Sequence, residues 1–213
     1  GNVFFSFPVE NAERFALDAM NSGAIAIVGE GNPPQGTEEI FIRVDSVSKA
    51  RVESAQEVYD RPFEKLKVHA VTGTNGKTTT AFLMREILVA AGKKVALLGT
   101  ICNKINDTVW ESSLTTPGLL DLYAFASAAL QEGVTDLVME ASSHALYQGR
   151  MDGVRFASAL FSNLTQDHLD YHKTMENYFL AKKRLFDCYL AKDGLPIINI
   201  DDSYGALLAK EHY

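Results

Sequence analysis

The chain has 213 residues, of which 46% are hydrophobic and 22% are charged, and its formal net charge is −7 at pH 7. These values are typical of a globular protein with one large or two smaller domains, and the acidic balance argues against nucleic acid as a partner. The sequence has no long apolar run and no basic-then-apolar start, which argues against a membrane anchor or a secretory signal. Cys102 and Cys188 are too few and too scattered for a disulfide framework or a cysteine zinc site, so we expect both to be reduced, which fits a cytoplasmic protein. We also expect a monomer.

Residues 1–66 are predicted to form a small α/β domain. Apolar runs and helical spacing predict, in chain order, strand 3–7, helix 10–22, strand 24–28, strand 40–44 and helix 46–59. The charged, proline-containing segment 60–67 then predicts a domain boundary. Because the chain starts at Gly1 in an apolar run and ends at Tyr213 in a helical pattern, we expect it to be part of a longer protein.

Residues 67–213 are predicted to form a second α/β domain in which strands and helices alternate. The predicted elements are strand 68–71, helix 78–91, strand 94–98, a polar stretch through 110 that can form a hairpin, helix 118–131, strand 136–140, strand 157–162, helix 175–186 and strand 197–200. The strands are nearly continuous apolar runs, which is typical of a mostly parallel sheet covered on both faces. Ligands of such sheets bind beyond the carboxyl ends of the strands, so functional residues are expected there.

The segment after the first strand of this domain has the sequence TGTNGKTTT, residues 72–80. Gly73 and Gly76 allow backbone N–H groups to approach phosphates, and we expect a Cβ at either position to crowd the turn. Lys77 is expected to reach the outer phosphates, the hydroxyl of Thr78 to hold Mg²⁺, and the helix N-terminus to add partial positive charge. Val71 stands where the common phosphate loop has its first glycine, so the motif is a variant that predicts ATP binding.

Two other strand ends carry candidate metal residues. Glu140 ends strand 136–140, where a carboxylate can bind Mg²⁺ or orient its waters; the alternative is a solvated strand-end residue. Beyond strand 157–162, His168 and His172 stand four residues apart, with Asp167 and Asp170 between them. Either histidine alone is more often structural, but beside a phosphate loop we expect one of them near the metal. A zinc hydrolase is disfavoured because HExxH is absent and no third ligand stands out.

Two further segments are ambiguous by themselves. Lys182 belongs to a basic run on an amphipathic helix, and such runs usually form a solvated helix face. Physical chemistry alone does not distinguish Lys182 from its neighbours. Thr115 and Thr116 precede Pro117, an arrangement typical of a helix start.

Taken together, these segments resemble the Mur ligase family, in particular its tripeptide synthetases. The matching segments occur in the family's order and approximate spacing, at residues 72–80, 115–117, 140–146, 148–150, 163–172 and 181–186. The phosphate loop is shared with folylpolyglutamate synthases, whereas SSHAL with QGR, and DHLDYH, favour the tripeptide synthetases. The resemblance covers nearly the whole chain, more loosely over residues 1–66.

The resemblance implies an ATP-dependent amide ligase of peptidoglycan synthesis. ATP would phosphorylate the carboxylate of UDP-N-acetylmuramoyl-L-alanyl-D-glutamate, and the amine of a diamino acid would attack the acyl phosphate. Residues 1–66 would be part of a UDP-sugar-binding domain, and residues 67–213 a truncated ATP-binding domain. The domain that binds the incoming amino acid has no counterpart in this sequence, so we expect the chain alone to be inactive as a ligase.

The resemblance also implies roles for individual residues. Nucleotide binding is implied for Gly73, Thr74, Asn75, Gly76, Lys77, Thr78 and Thr79. Thr78 and Glu140 would hold a first Mg²⁺, His168 a second, and Lys182 would be carbamylated by CO₂ into a carboxylate-like metal ligand. The implied catalytic residues are Lys77, Glu140, His168 and Lys182. Binding of the UDP-sugar dipeptide is implied for Thr115, Thr116, Ser142, Gln148 and Arg150.

Two alternatives stay open at this point. One is an inactive module that holds nucleotide or UDP-sugar without turnover. The other is a folylpolyglutamate-type ligase, which would bind a pteridine and be indifferent to UDP-muramyl peptides. The residues do not identify the diamino acid that would be added.

Overall fold

The structure of the protein is a computed structural model that describes residues 2–112 and 114–212. Gly1, Ser113 and Tyr213 lie outside the described residues. The expectation that the chain is part of a longer protein depends on its two ends, Gly1 and Tyr213, so it also lies outside them. Within the two described ranges, no helix is long and apolar enough to cross a bilayer.

The first of two compact units ends at Val58 and is a three-stranded parallel sheet with two helices. Its elements are β1 (Asn2–Ser6), α1 (Ala12–Asn21), β2 (Ala24–Gly29), β3 (Phe41–Arg43) and α2 (Val47–Val58). The strands pair in the order β1-β2-β3, and both pairings are parallel. Helix α1 buries Ala16, and α2 buries Val47 and Ala55. The predicted strands and helices of this region are confirmed, with small shifts at their ends.

The second unit begins at Tyr59 and is built on a seven-stranded sheet. Its elements are a 3₁₀ turn (Pro62–Glu64), β4 (Lys67–Thr72), α3 (Lys77–Ala90), β5 (Val95–Leu98), β6 (Cys102–Ile105), β7 (Thr108–Glu111), α4 (Leu119–Gln131), β8 (Asp136–Glu140), α5 (Ser143–Tyr147), β9 (Phe156–Phe161), α6 (Leu169–His172), α7 (Met175–Arg184), a π-helical turn (Leu185–Tyr189), β10 (Leu190–Ile198) and α8 (Ser203–His212). The division between the units precedes the predicted boundary segment 60–67. Phe63 of the 3₁₀ turn packs edge-on against Tyr123 of α4, with 4.8 Å between ring centroids, and so belongs with the second unit.

The sheet of the second unit has the strand order β10-β9-β4-β8-β5-β6-β7. The first five strands are parallel, and β6 and β7 form the antiparallel hairpin that the polar stretch predicted. Strands β5 and β8 are buried along their whole length, as expected for continuous apolar runs. A cluster of buried residues packs α3 against the sheet: Val71, Ala81, Val95, Leu97 and Val138. The mostly parallel α/β architecture is confirmed, and its packed core fixes the strand ends that form the site.

Three details of the second unit differ from the prediction. Strand β10 begins at Leu190, well before the predicted strand 197–200. The pairing of β10 with β9 is irregular between Leu190 and Leu195, and the polar residues in this stretch interrupt the apolar run on which the prediction depended. The helix predicted over 175–186 ends at Arg184 and continues as a π-helical turn to Tyr189. Helices α5 and α6 were not predicted, since five and four residues are too few to show helical periodicity.

Candidate active site

The loop between β4 and α3 depends on two glycines for different reasons. Gly73 has a φ of +139°, and a Cβ there would lie 1.9 Å from the hydroxyl oxygen of Ser162. Gly76 precedes α3 with a φ of +83°, but a Cβ at this position would meet nothing within 4 Å. The predicted crowding is confirmed at Gly73 and wrong at Gly76, where the positive φ is what favours glycine.

The segment after β9 holds the loop in place. The Thr74 amide donates to the Asn163 carbonyl oxygen at 2.9 Å, and the Asn75 amide donates to Asn163 Oδ1 at 3.0 Å. The Ser162 hydroxyl in turn donates to the Asn75 carbonyl at 2.7 Å. Since these two loop amides are used within the protein, the donors directed toward a ligand are the first amides of α3, which have no acceptor inside the helix. The loop is therefore fixed before any ligand binds, with the positive end of a helix behind it.

Glu140 lies beside this loop because it pairs in register with Val71 of β4 at the carboxyl end of the sheet. Its side chain is fully buried, which excludes a solvated strand-end residue. The carboxylate accepts hydrogen bonds from the Thr78 hydroxyl at 3.0 Å and from the Thr100 amide at 2.8 Å and hydroxyl at 3.0 Å. Sequence reasoning missed Thr100. Its place just after β5, at the same edge of the sheet, is the signal that would have found it.

Lys77 and Lys182 converge on one carbonyl oxygen. The Lys77 ammonium donates to Gly73 O at 3.1 Å and Thr74 O at 2.9 Å, and Lys182 Nζ donates to Gly73 O at 2.7 Å. Lys182 is only 1% exposed, so it does not belong to a solvated helix face. Burial above all, and then the charge of Lys77, hold the pKa of Lys182 well below its ordinary value, with Asp167 opposing. Burial also lowers the pKa of Lys77.

The structure separates the two histidines that the sequence left equivalent. His168 is half exposed at the start of α6, and its Nε2 lies 3.5 Å from Asp167 Oδ2. His172 is buried, with its Nε2 2.9 Å from the Ser143 hydroxyl. His144, which sequence reasoning missed, packs between them with ring centroids 4.9 Å from His168 and 5.4 Å from His172. Burial lowers the pKa of both His144 and His172. Of these three histidines, His168 is the one that lines the cleft described below.

The residues predicted to bind the UDP-sugar dipeptide form a connected hydrogen-bond network. Arg150 donates through Nη1 to the Thr116 carbonyl at 3.0 Å and through Nε to Gln148 Oε1 at 2.8 Å. Thr116 is 1% exposed, and its hydroxyl lies 2.7 Å from a carbonyl oxygen of β8 and 3.2 Å from Ser142 Oγ. Thr115 is partly exposed, and its hydroxyl oxygen lies 3.0 Å from the hydroxyl oxygen of Thr100. The side chain of Thr116 is therefore buried inside the fold, whereas Thr115 and Ser142 line the cleft described below.

A single cleft of about 430 Å³ at the carboxyl edge of the sheet brings most of the predicted residues together. It is lined by Thr74, Asn75, Gly76, Lys77, Thr78, Thr79, Thr100, Thr115, Glu140, Ser142, Ser143, His168 and Lys182. Gly73, Thr116, Gln148 and Arg150 are not among the lining residues. Among residues 2–112 and 114–212, no three His, Cys, Asp or Glu side chains are grouped to hold a metal ion. The side chains that line the cleft supply cations, hydroxyls and one buried carboxylate.

Comparison with known proteins identifies relatives of both the sequence and the fold. The family described as the Mur ligase middle domain matches residues 71–213. A UDP-N-acetylmuramoyl-L-alanyl-D-glutamate--2,6-diaminopimelate ligase of Solibacter usitatus is 42% identical over 214 residues, covering 98% of this chain and 43% of that protein. A ligase of the same name from Clostridium tetani is 41% identical over 215 residues, covering 99% of this chain and 44% of that protein. The chain thus spans less than half the length of the curated relatives it matches.

Solved structures agree with this relationship. A structure of a UDP-N-acetylmuramoyl-L-alanyl-D-glutamate--2,6-diaminopimelate ligase matches 100% of this chain and 43% of its own, with a TM-score of 0.80 and 32% identity. A folylpolyglutamate synthase of Mycobacterium tuberculosis, solved with ADP, matches 77% of this chain and 44% of its own, with a TM-score of 0.60. Its identity of 15% shows a common fold alone.

Proposed function

The chain belongs to the Mur ligase family, and we propose that it is part of an ATP-dependent ligase that adds a diamino acid to UDP-N-acetylmuramoyl-L-alanyl-D-glutamate. The names of the similar proteins favour 2,6-diaminopimelate as that diamino acid. In this proposal the second unit binds ATP and the first unit contributes to binding the UDP-sugar. The enzyme acts in the cytoplasm as a monomer.

The observation that carries the proposal is the convergence of four kinds of group on one cleft. A helix N-terminus, Lys77, the Thr78–Glu140 pair and Lys182 all line it. Phosphoryl transfer requires mainly positioning and neutralisation of charge, and these groups supply both. A fold of this class binds its ligands at this edge of the sheet.

The nucleotide phosphates are proposed to lie over the loop 73–79. The first amides of α3 donate to phosphate oxygens, and Lys77 extends over the loop to act as a point charge on the outer phosphates. In the structure, the Lys77 ammonium is held by the carbonyl oxygens of Gly73 and Thr74, so it is already positioned above the loop. A phosphate would replace part of these contacts with a stronger, charge-assisted one.

The side chains of Thr78 and Glu140 are suited to bind a magnesium ion. Mg²⁺ prefers oxygen ligands and usually keeps several waters while it binds one or two carboxylates and phosphate oxygens. Thr78 and the buried Glu140 carboxylate, 3.0 Å apart, supply protein oxygens of this kind, and His168 lines the same cleft for a second ion. When bound, Mg²⁺ would neutralise charge on the phosphates.

Carbamylation of Lys182 is supported by the burial of its amine. Only a neutral amine can attack CO₂, and burial holds the pKa of Lys182 well below its ordinary value. The attack forms an N–C bond, and the nitrogen then loses a proton, so an anionic carbamate replaces the neutral amine. Isotope-labelled bicarbonate and carbon NMR would detect this carbamate without any assay of activity, and Lys182→Met would remove the signal.

The dipeptide substrate is proposed to bind on the side of the cleft formed by Thr115 and Ser142, with Gln148 and Arg150 beyond them. Its terminal carboxylate oxygen attacks the γ-phosphorus of ATP, ADP leaves, and an acyl phosphate forms. The amine of the diamino acid then attacks the carbonyl carbon, inorganic phosphate leaves, and a proton passes to solvent. Arg150 suits an anionic substrate, because its guanidinium binds carboxylate or phosphate with two parallel hydrogen bonds.

The first test is ATP binding by the chain in calorimetry with Mg²⁺ present. Lys77→Ala is expected to weaken binding by about tenfold or more, since it removes a charge-assisted contact. Lys93→Ala is the matched control, because Lys93 is an exposed lysine beyond the end of the same helix. Equal binding by wild type and Lys77→Ala would contradict the assignment of the loop.

The second test is ADP release by the full-length gene product with both substrates. Lys77→Ala and Lys182→Ala are each expected to lower the rate by ~10²–10³. Near-normal ADP release by either variant would remove that residue from the mechanism. ATP binding without turnover would favour the inactive module, and turnover with a pteridine substrate would favour the folylpolyglutamate-type ligase.

A further inference from the structure

Thr100 has no part in the roles described so far, yet it makes two of the three hydrogen bonds that the Glu140 side chain accepts. Its amide donates to Oε1 at 2.8 Å, and its hydroxyl donates to Oε2 at 3.0 Å. One residue therefore contacts both carboxylate oxygens and fixes the plane of the group. Gly99 permits this approach, since a Cβ at position 99 would lie 2.6 Å from Glu140 Oε1.

The Thr100 hydroxyl has a second acceptor nearby. Thr100 Oγ1 lies 3.0 Å from Thr115 Oγ1 as well as 3.0 Å from Glu140 Oε2. A hydroxyl has one hydrogen, and an ionised carboxylate only accepts. The single hydrogen of the Thr100 hydroxyl therefore has two acceptors within reach, Glu140 Oε2 and Thr115 Oγ1, and the charged carboxylate is the stronger of the two.

We propose that Thr100 is a positioning residue that orients the Glu140 carboxylate for the divalent cation that binds together with ATP. The inference rests on the proposed function, in which Glu140 is a ligand of that cation. Mg²⁺ demands near-ideal octahedral geometry, so a carboxylate that can rotate binds it less well. Residues that hydrogen-bond a metal ligand typically contribute about 10–100-fold to metal affinity.

The experiment measures ATP affinity of the chain by calorimetry with Mg²⁺ and again with EDTA. The ratio is the dissociation constant in EDTA divided by the dissociation constant in Mg²⁺. It reports how much the cation adds to ATP affinity, because contacts to the nucleotide alone affect both constants. Thr100→Val keeps the branched shape and the backbone amide but loses the hydroxyl, and we expect the ratio to fall about tenfold. Thr100→Ser keeps the hydroxyl and is expected to retain the wild-type ratio.

The outcomes separate this inference from the proposed function. If wild type gains affinity from Mg²⁺ and Thr100→Val gains equally, the inference is overturned and the proposed function stands. If Thr100→Ser loses the gain as Thr100→Val does, the hydroxyl is not the cause and the inference is again overturned. If wild type itself gains nothing from Mg²⁺, the magnesium site at Glu140 fails and takes the inference with it. Should the melting midpoint show Thr100→Val to be unfolded, Thr100→Ala makes the same test without the added methyl group.

Discussion

Replacing Lys182 by methionine is expected to stabilise the second unit while removing a group that the proposed reaction requires. The Lys182 side chain is 1% exposed, and its amine has Gly73 O as a hydrogen-bond acceptor at 2.7 Å. In the variant this carbonyl keeps the hydrogen bond from Lys77 at 3.1 Å, and a thioether packs well against the neighbouring ring of Tyr178. Replacing buried ion pairs by well-packed apolar residues is often neutral or stabilises by ~1–4 kcal/mol, and Lys182 is a buried amine of the same kind. After the loss of one hydrogen bond, we expect a gain of about 1–3 kcal/mol near pH 7.

The effect depends on pH in a direction that the lowered pKa of Lys182 fixes. Between its folded-state pKa and the ordinary value of 10.5, the unfolded chain binds the proton more readily than the folded chain. The wild-type free energy of unfolding therefore rises with pH in this window, and the cost of burying the amine grows as pH falls. The Lys182→Met variant lacks this group, so its advantage over wild type is expected to be larger at about pH 6 than at about pH 9.

Urea denaturation, monitored by tryptophan fluorescence, reports the unfolding of the second unit, which contains Lys182. Trp110 is the only tryptophan of the chain and lies on β7 of the second unit. Lys183→Met is the matched control, because hydrogen bonds to Glu211 and then Asp187 raise the pKa of Lys183. Those interactions contribute fully at any pH below 10.5, the ordinary pKa of a lysine. The Lys183→Met variant is therefore expected to lose up to about 1 kcal/mol of stability, and this loss is not expected to change on acidification. A Lys182→Met protein that is less stable than wild type, or whose advantage does not shrink at high pH, would refute the reasoning.

Three other substitutions test separate contacts. Gly73→Ala is expected to cost about 3 kcal/mol or more in the same urea assay, because its Cβ would lie 1.9 Å from the Ser162 hydroxyl at a φ of +139°; an unchanged midpoint would contradict the crowding. Gly99→Ala is expected to lower the Mg²⁺-dependent gain in ATP affinity about tenfold, because its Cβ would lie 2.6 Å from Glu140 Oε1 and would push the carboxylate aside. Calorimetry with and without EDTA measures this gain. Tyr189→Phe is expected to cost about 1–2 kcal/mol, because the Tyr189 hydroxyl donates to a carboxylate at 2.7 Å. Burial raises the pKa of Tyr189 to about 12, so this cost should not change between about pH 6 and about pH 9.

The sequence predicted the phosphate loop because the chemistry of such a loop is local. Glycines, a lysine and a hydroxyl within a few residues, between an apolar run and a helical pattern, are enough to identify it. Lys182 is the opposite case. Lys182 and Lys183 are the same residue type on the same helix, and only the packed fold buries one and gives the other ion pairs on the surface. The resemblance to the family selected Lys182, and the structure supplies the physical reason why these two lysines differ.

Thr100 and His168 show the same limit at the level of contacts. No sequence pattern links Thr100 to Glu140, because the pairing of β5 with β8 brings together strand ends that are far apart in the chain. The choice between His168 and His172 likewise depends on which ring the packing of α6 turns inward. Periodicity predicts elements and the edge of the sheet at which a site forms. Which side chains share that edge at hydrogen-bond distance is decided by strand order and register.

The carbonyl of Gly73 explains how two lysines divide the proposed work. Both ammonium groups donate to this oxygen, so their charges repel each other, and burial lowers the pKa of both. Lys182 lies deeper, and the charge of Lys77 lowers its pKa further, so Lys182 is the one of the two amines that gives up its proton more readily. Lys77 is only partly buried, and Glu140 and Asp167 support its charge, which leaves it as the cation for a phosphate. A carbamate at Lys182 would place a negative charge close to Lys77, and would therefore favour the protonated, positively charged form of Lys77 beside the phosphates.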